Sequence, residues 1–113
     1  MASGLRAAAL CAVVVLMLAV TQTAGANRYF PSWWYRQAMC VHRGEGAWNA
    51  NTGNGFYGGM QFMHGTWVSN GGRRFAEYPH RATPVQQLIV AYWLWRRAGW
   101  RPWPNTARAC GLL

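Results

Sequence analysis

The chain has 113 residues and a formal net charge of +9, long enough for one domain and no more. All eleven positive side chains are Arg, and the acids number two, Glu45 and Glu77, with no Asp. So few carboxylates make a paired-acid centre hard to assemble, and the basic excess points to an anionic partner such as a wall polymer or a membrane surface.

Residues 1–26 read as a secretory signal peptide. Arg6 precedes an apolar run from Ala7 to Val20, and Ala24-Gly25-Ala26 supplies small residues for a cut after Ala26. An uncleaved anchor is the competing reading, but the run is short of the roughly 18 apolar residues of a spanning helix. Residues 27–113 are then one exported domain. Export argues against nucleic acid as the anionic partner, and the Arg residues are scattered apart from Arg73-Arg74 and Arg96-Arg97. The charge is read as general attraction.

Ser32 can cap a first helix over 33–42, with Trp33, Tyr35, Ala38, Met39 and Val41 as its buried side. Gly44 and Gly46 break it, leaving Glu45 at or just past its end. A short β-hairpin follows. Residues 48–51 and 56–58 flank Thr52-Gly53-Asn54-Gly55, and Asn-Gly is a strong turn signal because both residues tolerate positive φ. The stretch MQFMHGTWVSN can form a second helix, stopped by Gly71-Gly72.

The last helix has the fullest set of signals. Thr83, Pro84 and Gln86 compose an N-cap, a first-turn proline and a capping box. Val85, Leu88, Ile89 and Tyr92 follow helical spacing, Trp93, Leu94 and Trp95 widen the apolar surface, and Gly99 ends the helix. A Pro-Trp-Pro loop leads to Cys110. The fold class is α+β, mainly helical, with a short hairpin and no repeats or linker.

With Cys11 in the leader, Cys40 and Cys110 remain, an even pair in an oxidising compartment. A disulfide between them is expected, worth roughly 4 kcal/mol by loop entropy, and small domains gain most from such a staple. A metal pair is the alternative. Without CxxC spacing, and with His42, His64 and His80 dispersed, it has less behind it.

The segment WNANTGNGFYGGMQF, then HGTW, and the later AGWRPWP resemble the resuscitation-promoting factors and the wider transglycosylase-like domains of secreted actinobacterial proteins. The resemblance covers about 33–110. It implies a small lysozyme-like fold, activity on peptidoglycan glycan strands, and one catalytic Glu near the end of the first helix, the position of Glu45. In many members that Glu directly follows the cysteine, whereas here Val41 to Gly44 intervene. Phe56 stands where relatives often carry Tyr.

The chemistry fits that position. Breaking a β-1,4 glycosidic bond needs a proton on the leaving oxygen, which a carboxyl group in apolar surroundings can supply. Most glycosidases use two carboxylates. Glu77, in a loop-like stretch, is either a second acid or a surface ion-pair partner of an Arg. A lytic transglycosylase needs one acid, because the substrate's N-acetyl group and 6-hydroxyl do the rest. The expected target is the bond between N-acetylmuramic acid and N-acetylglucosamine, cleaved with or without water.

By matching to the family, Thr66 is expected to line the cleft, the alternative being a helix Thr that bonds its own backbone. Gln61 either bonds sugar hydroxyls or ties the hairpin to the helix, Tyr57 keeps an aromatic, and Asn54 is a binding or a turn residue. Trp faces stack well on sugar rings, and Trp48, Trp67, Trp100 and Trp103 lie in or beside the matched motifs as candidate sugar contacts, although most Trp in so small a domain must serve its core. No cofactor or metal is implied. The expected partners are glycan strands and a partner wall hydrolase, for a monomer outside the cell. Two other functions fit the composition: a non-catalytic wall-binding or signalling module on the same fold, and a cationic, Trp-rich membrane-active protein.

Overall fold

The computed structural model describes residues 28–113; the leader assigned to 1–26 lies outside them. The chain divides into two units, one ending at Pro31 and one spanning Ser32–Leu113. The second carries every element described here. Helices α1 (Ser32–Glu45), α2 (His64–Ser69), α3 (Pro84–Ala98) and α4 (Pro104–Ala109) follow in order, with two 3-10 turns, Gly72–Arg74 and Pro79–Arg81, between α2 and α3. The domain is mainly helical.

Helix α1 buries Trp34, Ala38 and Val41, a 4–3 spacing that lays all three on one face. This corrects the expected stripe, for Trp33 and Tyr35 are 45% and 40% exposed. Trp34 stacks flat on Trp100 at 5.8 Å and meets Tyr92 edge-on at 5.0 Å. The helix also runs through Gly44 to Glu45, and Ser32 is its first residue.

Helix α3 begins as its sequence foretells. Thr83 Oγ1 accepts the Gln86 backbone N–H, and Gln86 Oε1 accepts the Thr83 N–H. Residues Gln87 to Ala91 are buried and Gly99 closes the helix. Val85, expected on the buried face, is exposed, because the stripe begins two residues later.

The expected hairpin turns back where Asn-Gly places it, but it builds no ladder. It is reduced to isolated antiparallel bridges, Asn51 with Tyr57 and Tyr57 with Phe62. Both of its arms are only a few residues long, and Gly58-Gly59 turns the chain again at once. Side chains supply the missing cohesion. Gln87, fully buried, accepts the Gly59 N–H at 2.9 Å through Oε1. Its Nε2 donates to the carbonyls of Trp48 at 2.8 Å and Ala82 at 3.0 Å. One amide thereby satisfies three backbone groups. Gly58 sits against it with φ +77, and a Cβ there would fall 2.4 Å from Gln87 Oε1, so only glycine fits.

Helix α2 is shorter than expected because residues 60–63 are a turn and a bridge, with Gln61 at φ +49. The segment after Trp103, read as a loop, forms α4. Pro104 opens it, where the missing N–H costs nothing. Cys40 on α1 and Cys110 after α4 are joined by a disulfide.

Candidate active site

Glu45 is the last residue of α1 and is half-buried. The end of the helix aims its carboxyl group at α4, where Thr106 Oγ1 donates to Glu45 Oε1 at 2.7 Å. The same hydroxyl has Trp103 O at 3.5 Å. A hydroxyl has one proton, and the shorter contact has the ordinary O–H···O length, so the carboxylate takes it.

Gly44 makes this approach possible. A Cβ at Gly44 would lie 2.7 Å from Thr106 Cγ2. The residue that looked like a helix breaker is instead the notch into which α4 settles. Four residues beyond Thr106, the disulfide ties that helix to α1.

Beside the pair lies a cavity of about 350 Å³ lined by Gly44, Glu45, Phe56, Gln61, Asn105 and Thr106, with Pro102, Trp103 and Pro104 behind them. A second cavity, about 150 Å³, shares Phe56, Gln61, Pro102 and Trp103 and adds Phe62, Met63, Thr66 and Leu94. The shared residues make the two hollows one groove with Glu45 toward one end and Thr66 toward the other. Trp103 is its floor, buried and anchored by its Nε1–H on the Met60 carbonyl at 2.7 Å. Phe56, 42% exposed, is its rim.

The structure therefore brings together Glu45, Gln61, Thr66 and Trp103 of the residues singled out from sequence. Gln61 spends one amide hydrogen on the Gly58 carbonyl at 2.9 Å, so its oxygen and its second amide hydrogen are the parts available to a ligand. The others go elsewhere. Trp48 stacks on His42 with ring centres 3.7 Å apart, and His42 Nδ1, which must carry the proton, donates to Gly59 O at 2.8 Å. Tyr57 packs against Tyr78 and His80. Asn54 Oδ1 accepts the Phe56 N–H at 3.0 Å, a turn role. None of Trp48, Tyr57 and Asn54 lines the groove. Trp67 and Trp100 are core.

Glu77 is outside the groove and exposed. Arg73 binds both of its oxygens, at 2.9–3.2 Å, and His64 Nε2 lies 3.2 Å from Oε1. The hydrogen bonds from Arg73 hold the Glu77 carboxyl below its ordinary range and raise the Arg73 guanidinium. Among the described residues no cluster of His, Cys, Asp or Glu is placed to hold a metal ion, and no helix is long and apolar enough to cross a membrane.

Thr106 and Gln87 were not legible as functional or structural pivots. Thr106 sits in a stretch read as loop, and only the Cys40–Cys110 link hinted that it returns to α1.

The mainly helical, disulfide-tied domain around the groove belongs to the class of small lysozyme-like domains, as its family match gives it. The narrower assignment follows from comparison with known proteins. The model of the transglycosylase-like domain matches residues 31–106, and the chain belongs to that family. Relatives include resuscitation-promoting factor Rpf1 of Corynebacterium glutamicum, 43% identical over 79 residues, covering 70% of this chain and 40% of the relative. Resuscitation-promoting factor Rpf of Micrococcus luteus is 42% identical over 79 residues, 70% of this chain and 33% of that protein. Resuscitation-promoting factor RpfB of Mycolicibacterium smegmatis is 45% identical over 71 residues, 63% of this chain and 19% of that protein. The chain thus spans less than half the length of these curated relatives.

Proposed function

We propose that the domain cleaves the glycan strands of peptidoglycan outside the cell, at the β-1,4 bond between N-acetylmuramic acid and N-acetylglucosamine, with Glu45 as both acid and base. The observation that carries this reading is the Thr106–Glu45 hydrogen bond at the mouth of a groove whose lining holds no second carboxylate. Thr106 occupies Oε1, which leaves Oε2 for proton transfer. A hydroxyl both donates and accepts, so Thr106 can hold the carboxyl group in its protonated and its ionised form.

The reaction then needs one protein acid. Glu45 gives its proton to the bridging oxygen as the bond from that oxygen to the anomeric carbon breaks. The substrate's N-acetyl carbonyl stabilises the electron-poor anomeric carbon, an accepted exception to the two-carboxylate rule. The ionised Glu45 next takes the proton of the attacking hydroxyl. If that is the sugar's own 6-hydroxyl, the product is a 1,6-anhydro sugar; if it is water, the product is a reducing end. The lone carboxylate and the absence of a partner acid in the groove favour the first. Gln61 and Thr66 offer polar groups, and Trp103 and Phe56 apolar surface, along the strand.

The test is release of soluble muropeptides from purified sacculi, read by mass. The wild-type protein should yield fragments one water lighter than hydrolysis gives, and Glu45→Gln should yield none while keeping its fold by circular dichroism. A Glu45→Gln variant with full activity overturns the reading. Wild-type protein that binds sacculi and releases nothing points instead to a wall-binding module on the same fold.

A further inference from the structure

A further hollow lies apart from the groove. It holds about 500 Å³ and is lined by Ser69, Asn70, Gly71, Arg74, Trp93, Arg96 and Arg97. Such a volume is in the ordinary range for ligand sites. Its lining shares no residue with the Glu45 groove.

Three guanidinium groups meet there, and each is held by a neutral partner. Arg74 lies over the Trp93 ring at 5.6 Å, and Trp93 is itself backed by Phe75 at 5.9 Å. Arg96 lies over the Tyr92 ring at 6.0 Å. Arg97 donates to Asn70 Oδ1 and to the Ser69 carbonyl. These partners orient the cations and leave their charge in place. The chain's two acidic side chains are committed elsewhere, Glu45 to Thr106 and Glu77 to Arg73 and His64. Three oriented, uncompensated guanidinium groups around a concavity are a receptor for a phosphate-like anion, whose tetrahedral oxygens suit the planar fork of Arg.

We propose that this hollow is a second binding site, separate from the groove, for a phosphodiester-linked polyol or sugar polymer. The space exceeds what one phosphate fills, so the site takes a phosphodiester with its flanking carbon skeleton. Single-stranded nucleic acid is a poorer match, because its binders offer open aromatic faces for base stacking, and Trp93 is already engaged by Arg74 and Phe75. An anionic lipid surface is poorer too, since none of the exposed large apolar side chains borders the hollow.

The experiment is calorimetric titration of the disulfide-intact protein with a poly(glycerol phosphate) oligomer at about 0.15 M salt, where distant charges are screened. Amide shifts of Gly71 and the Trp93 indole proton report the location. One saturable site is expected, and Arg74→Gln and Arg96→Gln should each weaken it about tenfold, the scale of one charge-assisted contact. Arg36→Gln and Arg108→Gln, which remove the same charge at exposed positions outside the hollow, should change it less than about twofold. Glu45→Gln should bind normally, and Arg74→Gln should still cleave glycan, which separates this site from the groove. Equal losses from all four arginine variants, equal binding of polygalacturonate, or binding only to phosphatidylglycerol vesicles would overturn the proposal.

Discussion

Thr106 and Glu45 are 61 positions apart in sequence and share a 2.7 Å hydrogen bond. Their meeting depends on the notch at Gly44 and on the disulfide next to it. Thr106→Val keeps the shape and removes the hydroxyl. The expected result is a fall in kcat of about tenfold or more with little change in KM, the pattern of a group that acts in the transition state. Thr106→Ser should retain most of the rate. Steady-state kinetics on a soluble glycan oligomer decides it, and an unchanged kcat in the valine variant would remove Thr106 from the mechanism.

Gly44→Ala drives a methyl group into Thr106 Cγ2, which stands 2.7 Å from the Cβ position that the backbone fixes. Overpacking of this kind costs about 1–3 kcal/mol, and it should also lower activity by pushing α4 off α1. Thr106→Ser removes Cγ2, so the double variant should recover much of the loss. Denaturant melts of the four proteins give the coupling directly.

Gln87→Leu should be the most destabilising single change outside the hydrophobic core. It strips partners from the Gly59 N–H and the Trp48 and Ala82 carbonyls at once. Each buried group left unpaired costs about 1–3 kcal/mol, so a loss of several kcal/mol in chemical denaturation is expected. Amide exchange at Gly59 should quicken relative to that of α3.

Glu77 is expected to be dispensable for catalysis. Its folded carboxyl titrates below the ordinary value because Arg73 bonds to it. Such a group contributes stability above its unfolded value of about 4.3 and loses it as pH falls through the lower folded value. Both partners are exposed, so the effect is small. Glu77→Gln should flatten the acid end of the stability profile slightly and leave turnover near neutral pH within about twofold. A large drop in turnover would make Glu77 a second catalytic acid.

Helix α3 was legible to the residue at both ends because capping is local chemistry: Thr83, Pro84 and Gln86 act within one turn. Glu45 at a helix end and the Cys40–Cys110 pair were legible for a similar reason, since few residues of their type exist in the chain. The buried face of α1 was misjudged because Trp33, Trp34 and Tyr35 are adjacent aromatics, and only the position of Trp100 decides which one turns inward. The hairpin lost its ladder to its short arms and the Gly58-Gly59 turn, and the residue that holds it in place instead, Gln87, is one that a periodicity argument classes as one more polar residue in a helix. Trp48 and Tyr57 look like sugar-stacking residues in sequence, yet their ring partners are His42, Tyr78 and His80. Thr106 needed the return of a distant segment, which no local signal encodes.

The bridge between Cys40 and Cys110 has a consequence for damage. It lies five residues before Glu45 and four after Thr106, and everything from Gly46 to Asn105 is strung between those short arms. The exposed tip at 52–56 is an obvious place for a protease to cut. A cut there leaves two fragments that remain one molecule, each carrying one member of the pair, held together by the sulfur bond and by the packing of α1 on α4. Such a nicked protein migrates as a single species until it is reduced. The covalent tie is placed where it preserves the alignment of the two side chains after the backbone between them has been broken.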